Sequence, residues 1–314
     1  MLRVLVVNDD GIAAPGLAAL VTGLAPLAAV SVAAPHMERS ASGHGITIAQ
    51  NCALVATPVA LQGSEAAFAV TGLPADCSML ALNSNLFTNS AFDVVCSGIN
   101  RGNNLGLHVI YSGTVAGARE AALEGVLAVA VSLDHHSVDA DYEAAATVTA
   151  TLVRRLLARQ SELQALRGSV LNVNVPRGAL GALHGYVLTH QSYACQRPGF
   201  VEAPLPAGPH PHAVGPSRAW RNSSAGGFAE DNRKGGDAAA VAAGSVAVTV
   251  LTVLSHALPL DAHPVASCPP AELPPLLCGF SDAAADALLA HAAAAAAAVP
   301  GGLALSAAPA EASL

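Results

Sequence analysis

Lysine is almost missing from this sequence: Lys234, in "NRKGGD", is the only one in 314 residues. No Ser or Thr follows it, which excludes a Walker-type phosphate loop, and no other lysine exists to form a Schiff base. Charged residues of both signs make up only 11% of the chain and aromatics 4%. With a formal net charge of -8 there is no basic stripe to neutralise a polynucleotide, so polymeric nucleic acid is not an expected partner. The six cysteines, Cys52, Cys77, Cys96, Cys195, Cys268 and Cys278, show no CxxC spacing. They read as reduced core or incidental residues, neither a zinc site nor a disulfide frame. No N-terminal targeting segment is visible, because Leu2 already begins a strand pattern, and the expected location is the cytoplasm. The apolar tract "DAAADALLAHAAAAAAAVP" is mostly alanine and carries Asp282, Asp286 and His291. That composition suits a helix in water better than a membrane span.

What the sequence does hold is 53% apolar residues, enough for one large domain or two moderate ones. Short β-rich runs alternate with helical patterns. "RVLVV" precedes a helix around Gly16 to Leu27, and "AVSVAAP" follows it. Further on come a helical segment near Ala75 to Leu86, "FDVVCSG", a helix from about Val115, "VLAVAVSL", a helix near Tyr142 to Arg159, and "SVLNVNVP". Continuous apolar strands each followed by a helix predict a doubly wound, mostly parallel α/β sheet covered on both faces. Residues 1–190 form its core. Residues 191–256 read as an irregular arm, rich in Pro, Gly, Ser and Asn, plus a returning strand of the same domain, "GSVAVTVLTVL". Residues 257–314 read as a Pro-rich link, an Ala-rich helix and a disordered tail.

Ligands of such sheets bind beyond the carboxyl ends of the strands. "VNDDGIAAPG" ends the first strand on two adjacent carboxylates, Asp9 and Asp10, and Gly11 supplies the break that lets them converge. A solvated turn capped by Asn8, Asp9 and Asp10 explains the same wording equally well. "ERSASGHGIT" places Ser40 and Ser42 among glycines, Gly43 included, after another strand, and "SGINRGNNLG" places Asn100 after a third. Two carboxylates, a hydroxyl and an amide carbonyl are hard oxygen donors suited to Mg²⁺, Mn²⁺ or Ca²⁺. For Ser40 an N-cap, and for Asn100 a left-handed turn, are the plainer alternatives. In "YSGTVAGAREAALEG", Ser112, Gly113 and Thr114 open a helix whose free N–H groups and dipole favour an anion, unless they merely cap it. Asp76 in "TGLPADCSML" stands either beside a base or sugar pocket or as a helix cap. His44 and His108 lie near these clusters without an assigned role.

Taken in order, "VNDDGIAAPG", "APHMERSASG", "TGLPADC", "SGINRGNNLG" and "YSGTVAGAREA" closely resemble the SurE family of survival-protein nucleotidases and acid phosphatases, from about Leu2 to Pro176. The wording "TVAGAREA" is similar to the plant and algal branch. The resemblance implies a metal-dependent release of phosphate from nucleoside 5'- and 3'-monophosphates. It implies one Mg²⁺ or Mn²⁺ per subunit on Asp9, Asp10, Ser40 and Asn100, with Asp9 and Asp10 catalytic. It implies substrate contacts at Asn8, Gly43, Asn100, Ser112, Gly113 and Thr114, and a homodimer or homotetramer built through a C-terminal arm.

Three rivals are weighed against it. A receiver domain needs a strand-end aspartate about fifty residues on and a lysine beyond, and the region near Asn51 offers neither. A nicotinamide-dependent oxidoreductase needs GxGxxG after the first strand, which Gly11 and Gly16 do not make. A non-catalytic nucleotide- or metal-binding module on the same fold remains the alternative.

Overall fold

The computed structural model describes residues 2–48, 51–137, 140–159, 166, 168–205, 217–223, 228–231, 233–253 and 290. The link, helix and tail expected over 257–314 therefore lie outside the described residues, Ala290 aside. The core elements follow in the order β1 (Arg3–Val7), α1 (Pro15–Leu24), β2 (Ala29–Pro35), β3 (Ala56–Val59), β4 (Ala66–Val70), α2 (Pro74–Asn83), β5 (Val94–Arg101), α3 (Gly113–Leu123), β6 (Leu127–Asp134), α4 (Glu143–Leu157) and β7 (Ser169–Pro176). After these come β8 (Tyr186–Thr189), β9 (Cys195–Gln196), β10 (Gly199–Ala203), β11 (Ala219–Ser223), β12 (Phe228–Ala229), α5 (Asp237–Ala242) and β13 (Val246–Thr252).

Nine strands form one sheet in the order β3-β4-β2-β1-β5-β6-β7-β13-β8. From β4 to β7 every neighbouring pair is parallel. β3 pairs antiparallel with β4, β13 pairs antiparallel with β7, and β8 runs parallel to β13. The mostly parallel, doubly wound sheet expected from the sequence is thus present. Val4 to Val7 of β1 and Val30 and Val32 of β2 are no more than 1% exposed, as befits strands covered on both faces. One face packs Leu17, Leu20 and Leu24 of α1 against Leu152 and Leu156 of α4. The other packs Cys77 and Ala81 of α2 against Val115, Ala118 and Ala121 of α3. Pro15 and Pro74 start α1 and α2, where a missing N–H costs nothing.

The order in which strands are added reverses between β1 and β5. β2 and β4 are added on one side of β1, and the chain then crosses back through α2 to place β5 on the other. The carboxyl ends of β1 and β5 flank this switch point, the crevice in which such sheets hold ligands. Beside it β5 slips register against β6 between Ser97 and Asn100. A slip of this kind turns the following side chains away from the regular alternation.

Three regions differ from the sequence reading. β3 and β4 occupy a stretch without a clear pattern: β3 carries Pro58, tolerated because this is the sheet's edge strand. β13 runs antiparallel to β7, a direction that an apolar run does not encode. Within the irregular arm, β10 and β11 form an exposed antiparallel ribbon, and β9 pairs with β12. Among the described residues no helix is long and apolar enough to cross a membrane.

Candidate active site

The turn after β1 is built by Asn8. Its side chain is buried and its amide donates to the Gly11 carbonyl (2.9 Å) while accepting from the Gly11 N–H (3.2 Å). Gly11 has φ +99°, and a Cβ there would lie 3.0 Å from the Met37 carbonyl carbon, so the β1 and β2 loops touch only because this residue has no side chain. Asn8 consequently acts through the turn it closes. The Arg39 N–H donates to the Asp9 carbonyl (2.7 Å), tying the same two loops a second time.

Asp9 is 4% exposed and faces α3. The Thr114 hydroxyl donates to Asp9 Oδ1 at 2.5 Å. Burial pushes the Asp9 carboxyl from 3.8 up to about 6, against the pull of the Thr114 hydroxyl and with help from the charge of Asp10. Ser112 is the N-cap of α3, its Oγ accepting from the Val115 N–H (3.0 Å). Gly113 lies so close that a Cβ would come within 2.8 Å of both Asp9 Cβ and Ser42 Oγ and 2.9 Å of Asp9 Oδ2. Ser42 Oγ is buried with no hydrogen-bond partner among the described residues.

Asp10 belongs to a second cluster. Its Oδ2 accepts from the Arg101 N–H (2.9 Å), and burial again raises its pKa. The Arg101 guanidinium reaches both oxygens of Glu38 (3.3 Å each), and the Ser40 hydroxyl donates to Glu38 Oε1 (2.7 Å). Asn100 precedes Arg101 on β5, its amide donating to the Gly102 carbonyl (2.8 Å). Gly43 places its N–H on the Tyr111 carbonyl (2.9 Å), so it joins the loop to the segment before α3 and keeps no donor for a ligand.

Whether a divalent ion fits can be judged from these donors. Among the described residues no three His, Cys, Asp or Glu side chains gather at one point. The candidate set instead mixes the Asp9 and Asp10 carboxylates with the Ser40 hydroxyl and the Asn100 amide oxygen, a hard-donor set that suits Mg²⁺ or Mn²⁺. The Ser40 proton goes to Glu38 and the Asn100 N–H goes to Gly102, which leaves lone pairs on both ligand oxygens. Two desolvated carboxylates side by side also call for a cation. The residues fit the ion.

Other contacts surround the site, and of these the sequence had offered the helix cap by Asp76 as one of its two readings. His44 Nε2 pairs with Glu120 of α3 while Arg119 donates to His44 Nδ1 (3.3 Å), which anchors the Ser40 to Gly45 loop on that helix. Asp76 receives the Leu73 N–H (2.8 Å) and the Thr47 N–H (2.7 Å), so it caps α2 and holds the end of the same loop. Asp237, fully buried, accepts from the Gly106 N–H (2.9 Å) and the Ser192 N–H (3.0 Å). It thereby fixes the segment leading to α3. His108 accepts from the Gln196 N–H (2.7 Å), away from the two aspartates.

Fold and site together define a doubly wound α/β protein with an oxygen-lined, anion-ready crevice at its switch point. The chain belongs to the SurE family, whose family model, survival protein SurE, matches residues 4–197. A 5'-nucleotidase SurE of Rhodopirellula baltica is 44% identical over 178 residues, 57% of this chain and 67% of the relative. One of Petrotoga mobilis is 37% identical over 253 residues, 80% of this chain and 93% of the relative. The crystal structure of the SurE protein from Aquifex aeolicus superposes with a TM-score of 0.62 at 30% identity, covering 81% of this chain and 94% of that one.

Proposed function

We propose that this protein is a divalent-metal-dependent phosphomonoesterase that releases phosphate from nucleoside 5'- and 3'-monophosphates. The observation that carries the reading is the meeting of buried Asp9 with the opening turn of α3, beside a second carboxylate, at the sheet's switch point. The names of the curated relatives, 5'-nucleotidase SurE, point the same way. Asp9, Asp10, Ser40 and Asn100 would hold one Mg²⁺ or Mn²⁺. When bound, such an ion neutralises phosphoryl oxygens and acidifies the attacking water.

The chain's own residues do the rest. Ser112, accepting from Val115, keeps its hydroxyl proton for a phosphate oxygen, and the Gly113 N–H and the α3 dipole add to the cradle. Thr114 holds Asp9, and the Arg101 N–H holds Asp10. One of the two aspartates orients the water for in-line attack and accepts its proton. A covalent route through Cys77 or Cys96 is disfavoured because burial keeps both thiols protonated, Cys96 pushed up to about 12.

We further read the protein as a cytoplasmic homodimer or homotetramer. The exposed β10 and β11 ribbon, with Phe200 66% and Trp220 53% exposed, offers apolar surface for a partner copy. Phosphate release from a panel of nucleoside monophosphates, with Mg²⁺, Mn²⁺ or EDTA, tests the activity in the wild type and in Asp9→Asn. Turnover that needs metal and collapses in the variant supports the reading. Folded protein that binds nucleotide but releases nothing replaces it with a non-catalytic binding module.

A further inference from the structure

The loop after β2 carries two hydroxyls, Ser40 and Ser42, with Ala41 between them at φ +56°. That is the left-handed region, which a residue with a Cβ avoids, and such a conformation persists only where the surroundings over-determine it. Backbone bonds hold the loop at Arg39, whose N–H reaches the Asp9 carbonyl, and at Gly43, whose N–H reaches the Tyr111 carbonyl. Beyond them a side chain grips α3. His44 stands between Arg119 and Glu120, its side chain 27% exposed and that of Glu120 12%. We infer that His44 is a positioning residue for the reaction: as the neutral Nε2–H tautomer, clamped between Arg119 and Glu120, it keeps the loop in register with α3 and holds the Ser42 hydroxyl against Asp9 and Gly113. The inference rests on the phosphatase reading of the α3 cradle and adds what sets the loop opposite it.

The partners assign the tautomer. A guanidinium has donors only, so Nδ1, which receives Arg119 Nη1 at 3.3 Å, is the acceptor of the ring. The Glu120 carboxylate only accepts, so the ring proton sits on Nε2. A neutral imidazole offers one donor and one acceptor, and this contact uses both. Arg119 and Glu120 lie about two turns past the Ser112 cap, about 10 Å along the α3 axis. Gly43 ties the loop just before that cap and His44 ties it further along the helix, so the loop cannot pivot about Gly43.

What the clamp positions is Ser42. Its Oγ is buried with no hydrogen-bond partner among the described residues. A Cβ on Gly113 would come within 2.8 Å of that Oγ and 2.9 Å of Asp9 Oδ2, so the hydroxyl faces the same small space as the carboxylate and the opening of α3. A buried hydroxyl without a partner is destabilising, and a phosphate oxygen held in the α3 cradle would give it one. Release of His44 lets Ser42 swing out of that space while Ser112, Gly113 and Thr114, carried by the helix, stay where they are.

The test uses the full-length protein with Mn²⁺ and adenosine 5'-monophosphate, and compares His44→Ala, His44→Gln, Ser42→Ala and the double variant of the two alanines. His44→Ala and Ser42→Ala are each expected to lower kcat by about tenfold with KM within about twofold, the mark of a contact made in the transition state. His44→Gln, whose amide again offers one donor and one acceptor, should keep kcat within about threefold of the wild type. The double variant should be slower than either single one by no more than about twofold, because both remove the same contact. Glu120→Ala frees the same ring and should lose the same factor, and it takes the place of His44→Ala where that variant does not fold. An undiminished kcat in His44→Ala overturns the inference, as does a His44→Gln variant as slow as His44→Ala. Losses that multiply to about a hundredfold in the double variant overturn it too, since His44 would then act on something other than Ser42. If the wild type hydrolyses nothing, the phosphatase reading fails separately, and amide hydrogen exchange still decides on the clamp. The Gly43 N–H should exchange about tenfold faster in His44→Ala than in the wild type or His44→Gln, and equal exchange in all three overturns the clamp.

Discussion

Replacing Asp9 by Asn should make the metal-free protein more stable at neutral pH. The side chain is 4% exposed, and burial lifts its pKa from 3.8 to about 6. A carboxyl whose folded-state pKa is raised binds more protons folded than unfolded between those two values. Stability therefore falls as pH rises through that window and is fully restored only below about 4. With about 1.4 kcal/mol per pH unit, the ionised form costs the metal-free fold about 3 kcal/mol at pH 7. Asparagine still accepts the Thr114 hydroxyl through its Oδ1 and carries no charge, so the variant escapes that cost.

The assay is urea and thermal denaturation of the wild type and Asp9→Asn in EDTA from pH 4 to 8. Other groups titrate in both proteins, so the quantity to follow is their difference. It should be near zero at pH 4 and reach about 3 kcal/mol in favour of the variant by pH 7, a melting shift of at least about 6 °C. Saturating Mn²⁺ should cancel most of that difference. A site filled at a hundred times its Kd stabilises the wild type by about 2.7 kcal/mol, a gain the variant should lose. A difference that stays flat with pH, or a variant less stable than the wild type in EDTA at pH 7, would refute the argument from burial.

Two further substitutions probe the same construction. Gly113→Ala would put a Cβ 2.8 Å from Asp9 Cβ and Ser42 Oγ, so α3 must shift away from Asp9. A phosphate-release assay should show kcat reduced on the order of 100-fold, and retained activity would place the chemistry away from α3. Asp237→Ala leaves the buried N–H groups of Gly106 and Ser192 without their shared acceptor and should cost about 3 kcal/mol in urea denaturation. A cost below about 1 kcal/mol would mean the segment before α3 is held some other way.

The sequence was most readable where a single segment carries the whole signal. β1, β2, β5, β6 and β7 are continuous apolar runs, and burial on both faces makes such runs unambiguous. β3 and β4 were not readable, because an edge strand with Pro58 and a strand of alanines around Phe68 lack that contrast. The ribbon of β10 and β11 is mostly exposed, so no buried face imprints a period on it. In the site, Ser112 to Thr114 were legible because a hydroxyl cap and a glycine announce a helix start. His44 with Glu120 and Gly106 with Asp237 were not, since 76 and 131 residues separate the partners and only the folded sheet brings them together.

The adjacent aspartates gain a physical reason from the same geometry. β1 ends at Val7, so Asp9 and Asp10 stand in the bend beyond it, outside the strand's strict alternation. Asp9 there accepts from the Thr114 hydroxyl and Asp10 from the Arg101 N–H, so each carboxylate is fixed by a different element while both stay at the switch point. Burial, with a smaller part from the charge of Asp10, raises the pKa of Asp9, and that is the cost a bound cation would remove.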